Sequence, residues 1–258
     1  MSTRSYRSLF RNMPPLRGLL PLLLLLLVWQ IVQSGPSPYF PAPSEWWSAA
    51  LRLSRREQLL SAFVSTASSF LVGLMLAAFI GASLGVAIGS SRRVARALRP
   101  LLEFMRSIPP PATVPVAGLL IGYNESMKIV VIVLAALWPV LLNTSAAVDQ
   151  IHPLLRDVSR TFRLSARERM WRILLPSIIP GLLLGIRVAI PLTIILALLV
   201  EMLTSLPGIG ALMIRSQRNF QSSEVYALLV LVGLFGLFVN NAFLILESWL
   251  LRRWPPRA

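Results

Sequence analysis

Six arginines, Arg156, Arg160, Arg163, Arg167, Arg169 and Arg172, fall between His152 and Pro176 with only Asp157 and Glu168 against them. Arg156, Arg160, Arg163 and Arg167 recur at steps of three and four, which puts them on one face of a helix. Leu155, Val158 and Phe162 recur on a neighbouring apolar face. Such a stretch binds something. It either docks on a partner protein or rests against water and lipid headgroups. Long apolar segments flank it on both sides. An arginine at the bilayer centre costs about 2.5 to 3.5 kcal/mol even on the insertion scale. The stretch therefore stands in water between two membrane spans.

Catalytic chemistry has little to work with. There is no cysteine, and His152 is the only histidine, so disulfides, thiolate metal sites and histidine clusters are excluded. No paired carboxylates and no nucleophile with a base can be assembled, which argues against a membrane-embedded enzyme. No phosphate loop of the Gly-x-x-x-x-Gly-Lys-Ser/Thr type occurs, and Lys128 is the only lysine, so ATP is not hydrolysed by this chain.

A few polar residues fall inside apolar segments. Arg187 lies 11 residues past Pro176, about 16 Å up a helix. There it either faces a wet cavity that suits an anion or pairs with Glu103 or Glu201. Arg106, nearer the cytoplasmic edge, is expected to snorkel or to pair with Glu103. Glu201 is placed to contact Gly208-Ile209-Gly210 or a gate at the outer end of its span. Asn143 is expected to bond a backbone group freed by a nearby proline.

The elements that carry these residues follow from composition. The chain has 258 residues, 55% of them hydrophobic and 14% charged, against about a quarter charged in soluble domains. It is an all-α polytopic membrane protein. The net charge of +15 flanks apolar spans instead of forming a basic domain, which excludes nucleic acid as a partner.

Residues 1–17 form a basic cytoplasmic N-terminus and 18–258 the transmembrane domain. The leucine-rich run Leu19 to Val32 is a first span or the core of a signal peptide. Residues 34–43 are extended. A short helix from Ser44, carrying Trp46 and Trp47, belongs to the headgroup layer or the protein surface. The second span covers about 59–88, and Gly81, Gly85 and Gly89 share one face on which another helix can approach. Arg92, Arg93, Arg96 and Arg99 form a basic loop. A third span from about Leu101 holds Pro109, Pro110, Pro111 and Pro115, so it is irregular and belongs beside a pore. The fourth span runs 127–148, the fifth 178–203 and the sixth 225–251, with a loop at 205–223. With both termini inside, 17 basic residues fall on the cytoplasmic side and 6 outside, as the positive-inside rule requires. The 149–176 loop is therefore cytoplasmic.

That loop also resembles a known signature. Asp157-Val158-Ser159, Arg163 after three residues, and Ile173-Leu174-Leu175-Pro176 after nine more match the spacing in binding-protein-dependent ABC importer permeases. That family writes Glu-Ala-Ala, Gly and Ile-x-Leu-Pro at these places. Arg163 replaces the glycine of a left-handed turn, so the turn is either strained or differently built. Pro41 to Pro43, Arg106-Ser107-Ile108-Pro109, Leu141-Leu142-Asn143-Thr144, Gly185-Ile186-Arg187, Glu201-Met202 and Gly208-Ile209-Gly210 are similar to the nitrate, taurine and alkanesulfonate branch.

The resemblance implies a type I permease fold of about six transmembrane helices with cytoplasmic coupling helices, in a bacterial inner membrane. It implies that Asp157, Val158, Ser159, Arg163, Ile173, Leu175 and Pro176 couple the spans to a separate ATPase. It implies, too, a pathway between two copies of the chain, two ATP-binding subunits holding ATP and magnesium, and a periplasmic or lipid-anchored substrate-binding protein. No cofactor is expected on this chain itself. Within the branch the solute is a sulfonate, taurine or nitrate, or else a pyrimidine precursor, riboflavin or an aromatic acid. An ion-gradient transporter is the competing class, and the scarcity of membrane acids counts against it.

Overall fold

The computed structural model describes residues 19–33, 39–55, 58–152, 154–155, 159 and 161–252, and among them every regular element is a helix. The basic N-terminus lies outside the described residues. Helix α1 (Leu19–Val32) and α2 (Pro43–Arg55) meet through aromatic rings. Trp46 of α2 stacks on Tyr226 at 5.2 Å, and Trp29 of α1 sets its edge against both. The Trp46 indole N–H donates to the Pro41 carbonyl, which ties the residues just ahead of α2 to that helix, while Trp47 is exposed. Of the stretch expected to be extended, residues 34–38 lie outside the described residues and 39–40 form a bend.

Helix α3 (Gln58–Gly89) is followed after a short turn by α4 (Arg92–Ser107), capped by Ser91. The basic stretch expected as a loop is thus the start of a helix. The expected third span is divided. Ile108 and Pro109 are extended, Pro110–Ala112 makes one 3-10 turn, and only α5 (Thr113–Ile121) returns to α-helix. Proline removes the N–H that would continue the ladder and drives its predecessor out of the helical region.

After Gly122, Asn124 caps α6 (Glu125–Asp149). The Ser165/Glu168 capping box starts α7 (Ala166–Arg169), and a π-turn at Met170–Leu174 joins it to α8 (Leu175–Thr204). Together these three pieces make one 39-residue helix, about 58 Å long at 1.5 Å per residue, against a hydrocarbon core of about 30 Å. Its N-terminal turns therefore stand in the cytoplasm as an extension of the fifth span, not as a separate short helix. The segment expected as a loop after α8 holds helix α9 (Ile209–Arg218), and α10 (Ser222–Leu251) closes the chain. Among the described residues, four helices are long and apolar enough to cross a membrane, and Leu20–Val32 and Pro110–Ile121 are shorter apolar pieces.

The bundle is built around α6, which packs most extensively on α3 and α8. The α3 face expected from its glycines is the one used. A Cβ on Gly85 would stand 2.7 Å from the Leu141 carbonyl and 2.8 Å from Thr144, and one on Gly89 would stand 2.7 Å from Val148. On the other side, Gly185 of α8 lies against Pro139 and Val140. Gly85→Leu is expected to lower folded-state stability by about 1 to 3 kcal/mol through overpacking, read as a lower unfolding midpoint in detergent. Gly233→Ala, where no atom lies within 4 Å, should leave the midpoint unchanged or raised.

Candidate coupling site and buried ion pair

The loop between α6 and α7 is built by two local signals. Leu154, Leu155, Ser159 and Thr161 are helical; Asp157 and Val158 lie outside the described residues. Arg163 then takes φ +46°, and the Leu164 N–H donates back to the Ser159 carbonyl at 3.0 Å. That bond spans five residues, the mark of a helix end closed by one left-handed residue. Arginine therefore occupies the left-handed position itself, so the turn is the one glycine would make, with the strain that implies.

Ser159 is buried, whereas Phe162 at the tip is 73% exposed and Leu154 62%. An apolar tip thus points away from the bundle. A cavity of about 370 Å³ lies behind it, lined by residues including Val148, Leu155, Ser159, Met170 and Ile173. Glu168, in the part of the helix outside the bilayer, accepts the Ser165 backbone N–H at 2.9 Å and its hydroxyl at 2.8 Å. Those bonds hold its carboxyl below the ordinary carboxylate range.

Ile173, Leu175 and Pro176 sit half-buried where this extension enters the bundle. The Leu175 N–H reaches back five residues to the Met170 carbonyl. The widened turn gives room to the Pro176 ring, which in a regular helix would strike the carbonyl four residues earlier.

At the outer end lies a polar cluster that the sequence did not reveal. Lys128, one of the six basic residues that the topology places on the outer side, is fully buried. Its ammonium lies 3.0 Å from Glu201 Oε1 and 3.3 Å from Glu125 Oε2. It donates also to Ser65 Oγ and the Pro207 carbonyl. Glu201, likewise buried, accepts the Thr66 hydroxyl at 2.9 and 3.0 Å and the Gly210 N–H at 2.9 Å, while the Ile209 N–H donates to Thr66 Oγ1. Any side chain on Gly208 would overlap the Glu201 carboxylate. Glu201 thus does contact the 208–210 segment and ties the turn after α8 to α3 and α6. The readable signal was a lone lysine three residues after an acid at the head of an apolar span.

The other candidates are dispersed. Arg187 pairs with neither Glu103 nor Glu201. Its guanidinium lies 3.7 Å from Glu247 on α10, with the Arg187 side chain 47% exposed. Glu103 is taken by Arg99, one turn away at 2.9 Å, and so does not neutralise Arg106, which is exposed. Asn143 donates to the carbonyl of Pro139 itself at 2.8 Å, whereas the carbonyl that a proline there would free is that of Ala135, four residues earlier.

The model of the binding-protein-dependent transport system inner membrane component family matches residues 73–254. The chain belongs to that family. Its relatives include the nitrate import permease protein NrtB of Synechocystis sp., 31% identical over 90% of this chain and 88% of that one. The bicarbonate transport system permease protein CmpB of Synechococcus elongatus is 29% identical over 92% and 89%. A putative aliphatic sulfonates transport permease protein, SsuC of Bacillus subtilis, is 25% identical over 70% and 66%. Among solved structures, an amino acid ABC transporter with histidines superposes with TM-score 0.58 at 13% identity, covering 78% of this chain and 96% of that one, which shows the shared fold.

Family membership makes this chain a multi-pass inner-membrane permease subunit of an ABC importer, not an enzyme, with ATP-binding and substrate-binding proteins as partners. Two outcomes are expected of the geometry. Lys128→Met leaves a buried carboxylate unpaired and should cost about 3 to 5 kcal/mol in unfolding experiments, with much of it recovered in Lys128→Met/Glu201→Gln. At the loop, Arg163→Gly should keep the Leu164 amide as slow to exchange as in the parent. Arg163→Val should speed that exchange by about tenfold, since a β-branched residue resists positive φ.

Proposed function

We propose that this subunit moves a small inorganic or sulfonate-type anion inward by alternating access, as a pair of copies driven by two ATP-binding subunits that hold ATP and magnesium. The observation that carries the solute class is the set of relatives named for nitrate, bicarbonate and aliphatic sulfonates. Arginines at membrane depth agree with it. Arg187 is half-exposed on α8 beside Glu247, and a cation with one exposed side is disposed to meet an anion in a wet pathway. Arg106 and Glu103 on α4 belong to the same inner region, and Asn143 and Glu201 serve packing and the outer turn.

Coupling is assigned to Asp157, Val158, Ser159, Arg163, Ile173, Leu175 and Pro176. The exposed Phe162 tip suits insertion into an apolar groove of the ATPase. The helix that begins at Ala166 runs unbroken to Thr204, so a push on the loop reaches the outer turn along one element. The soluble binding protein delivers the anion to the outer face.

The test is reconstitution of the permease with its ATPase and binding protein in liposomes, with uptake of labelled nitrate, bicarbonate and an alkanesulfonate measured against ATP hydrolysis. ATP-dependent uptake of one of them is expected. Asp157→Arg and Pro176→Gly should leave the complex assembled and hydrolysing ATP while uptake falls. Coupled uptake at the parent rate in both variants would remove the loop from the mechanism. Uptake driven by an ion gradient without ATP would overturn the reading as a whole.

A further inference from the structure

Helix α4 carries its charges as a stripe. Arg96, Arg99, Glu103 and Arg106 recur at steps of three and four on one face, with Val94, Leu98, Leu101 and Met105 opposite. The two ends of the helix are tied at different depths. Its N-terminus follows Gly89, which lies against Val148 and the Ser145 carbonyl at the cytoplasmic end of α6. Its C-terminus leads to Pro110–Ala112, which touches both α6 and α8. Val114, immediately beyond, sits in the cluster of Met127, Val131, Ile132 and Ala135 in the outer half of α6. From Ala135 to Val148 is about 20 Å along α6, and α4 itself extends about 24 Å at 1.5 Å per residue. The helix therefore climbs between these two ties, and its C-terminal half reaches hydrocarbon depth. Within the subunit it packs chiefly on α3, and its apolar residues Val94, Leu101 and Met105 are exposed as well.

Arg106 finds little to touch inside the subunit. Arg99 and Glu103 pair with each other at 2.9 Å, with side chains 77% and 59% exposed. Arg96 and Arg106 are exposed, and Arg106, the deepest, makes no ion pair among the described residues. Bare arginine facing lipid at that depth is strongly disfavoured, so this face requires water. Irregular backbone such as the Ile108–Ala112 break is likewise tolerated at depth only beside protein or a wet cavity.

We propose that α4 lines the water-filled inner half of the solute pathway, where Arg106 receives the anion below the proline break and Arg99 and Arg96 guide it towards the cytoplasm. This rests on the anion-importer reading above. Glu103 neutralises Arg99, which weakens the middle of the ladder and lets the anion leave. A second copy would present the same stripe from the opposite wall, giving a cationic funnel that lowers the barrier for an anion and raises it for a cation.

The absence of cysteine from the chain makes the test direct. Single cysteines are placed at Arg96, Arg99, Glu103 and Arg106, and at Leu98, Leu101 and Met105, in the complex with ATPase and binding protein in liposomes. Membrane-impermeant methanethiosulfonates should modify the first set and spare the second, with excess nitrate slowing the reaction at Arg106→Cys. Nitrate uptake by Arg106→Cys should fall about tenfold, the size of one charge-assisted hydrogen bond. Modification with the cationic aminoethyl reagent should restore uptake and modification with the anionic sulfonatoethyl reagent should not, a difference that a merely structural arginine would not produce. Unreactive cysteines at 103 and 106, or equal reactivity on both faces, would overturn the lining. Reactivity that changes with phosphatidylglycerol content would make α4 a surface helix on acidic lipid instead. If the parent complex imports no nitrate, bicarbonate or sulfonate, the anion role fails with the solute reading, while the thiol pattern separately decides whether α4 is wet.

Discussion

The backbone of α6 lies in contact with glycines on two neighbouring helices, and the remaining architecture hangs on that contact. A Cβ on Gly81, Gly85 or Gly89 of α3 would crowd the Leu137, Leu141 or Ser145 carbonyl, and one on Gly181 or Gly185 of α8 would crowd the Asn143 or Pro139 carbonyl. In lipid there is no hydrophobic drive between helices, so close van der Waals approach supplies the association. The result is a closely packed three-helix slab of α3, α6 and α8.

Each end of that slab carries polar machinery of a different kind. At the outer end, Lys128 and Glu201 are removed from water and satisfied by each other, by Thr66 and by backbone groups, which holds the turn after α8 shut against α3. At the inner end, the loop after α6 is an apolar tip on a turn closed through Arg163. The helix from Ala166 to Thr204 joins the two ends. The π-turn at Met170–Leu174 and the internal Pro180 and Pro191 are the places where that helix can bend. Buried charges therefore serve as fasteners, whereas Arg106 and Arg187 keep exposed side chains within the subunit.

The class of the protein, its long apolar helices, the glycine face of α3 and the loop signature were all legible in the residues, because each depends on local composition or fixed spacing. Hydrophobic length decides a span, a four-residue step of glycines decides a face, and three prolines in a row decide a break. At Arg163 the residues left two alternatives open, a strained turn or a different one, and the structure takes the left-handed turn.

Pairing was not legible. Arg187 meets Glu247 instead of Glu103 or Glu201, Glu103 turns to its own neighbour Arg99, and Lys128 leaves the exterior for the core. Partners far apart in the chain are chosen by which helix faces pack, and periodicity ranks faces without saying what lies opposite. The same holds for the basic stretch after α3. It was expected as a loop and forms the first turns of α4, and where that helix leads depends on how α6 and α8 hold Pro110–Ala112, which only the assembled helices settle.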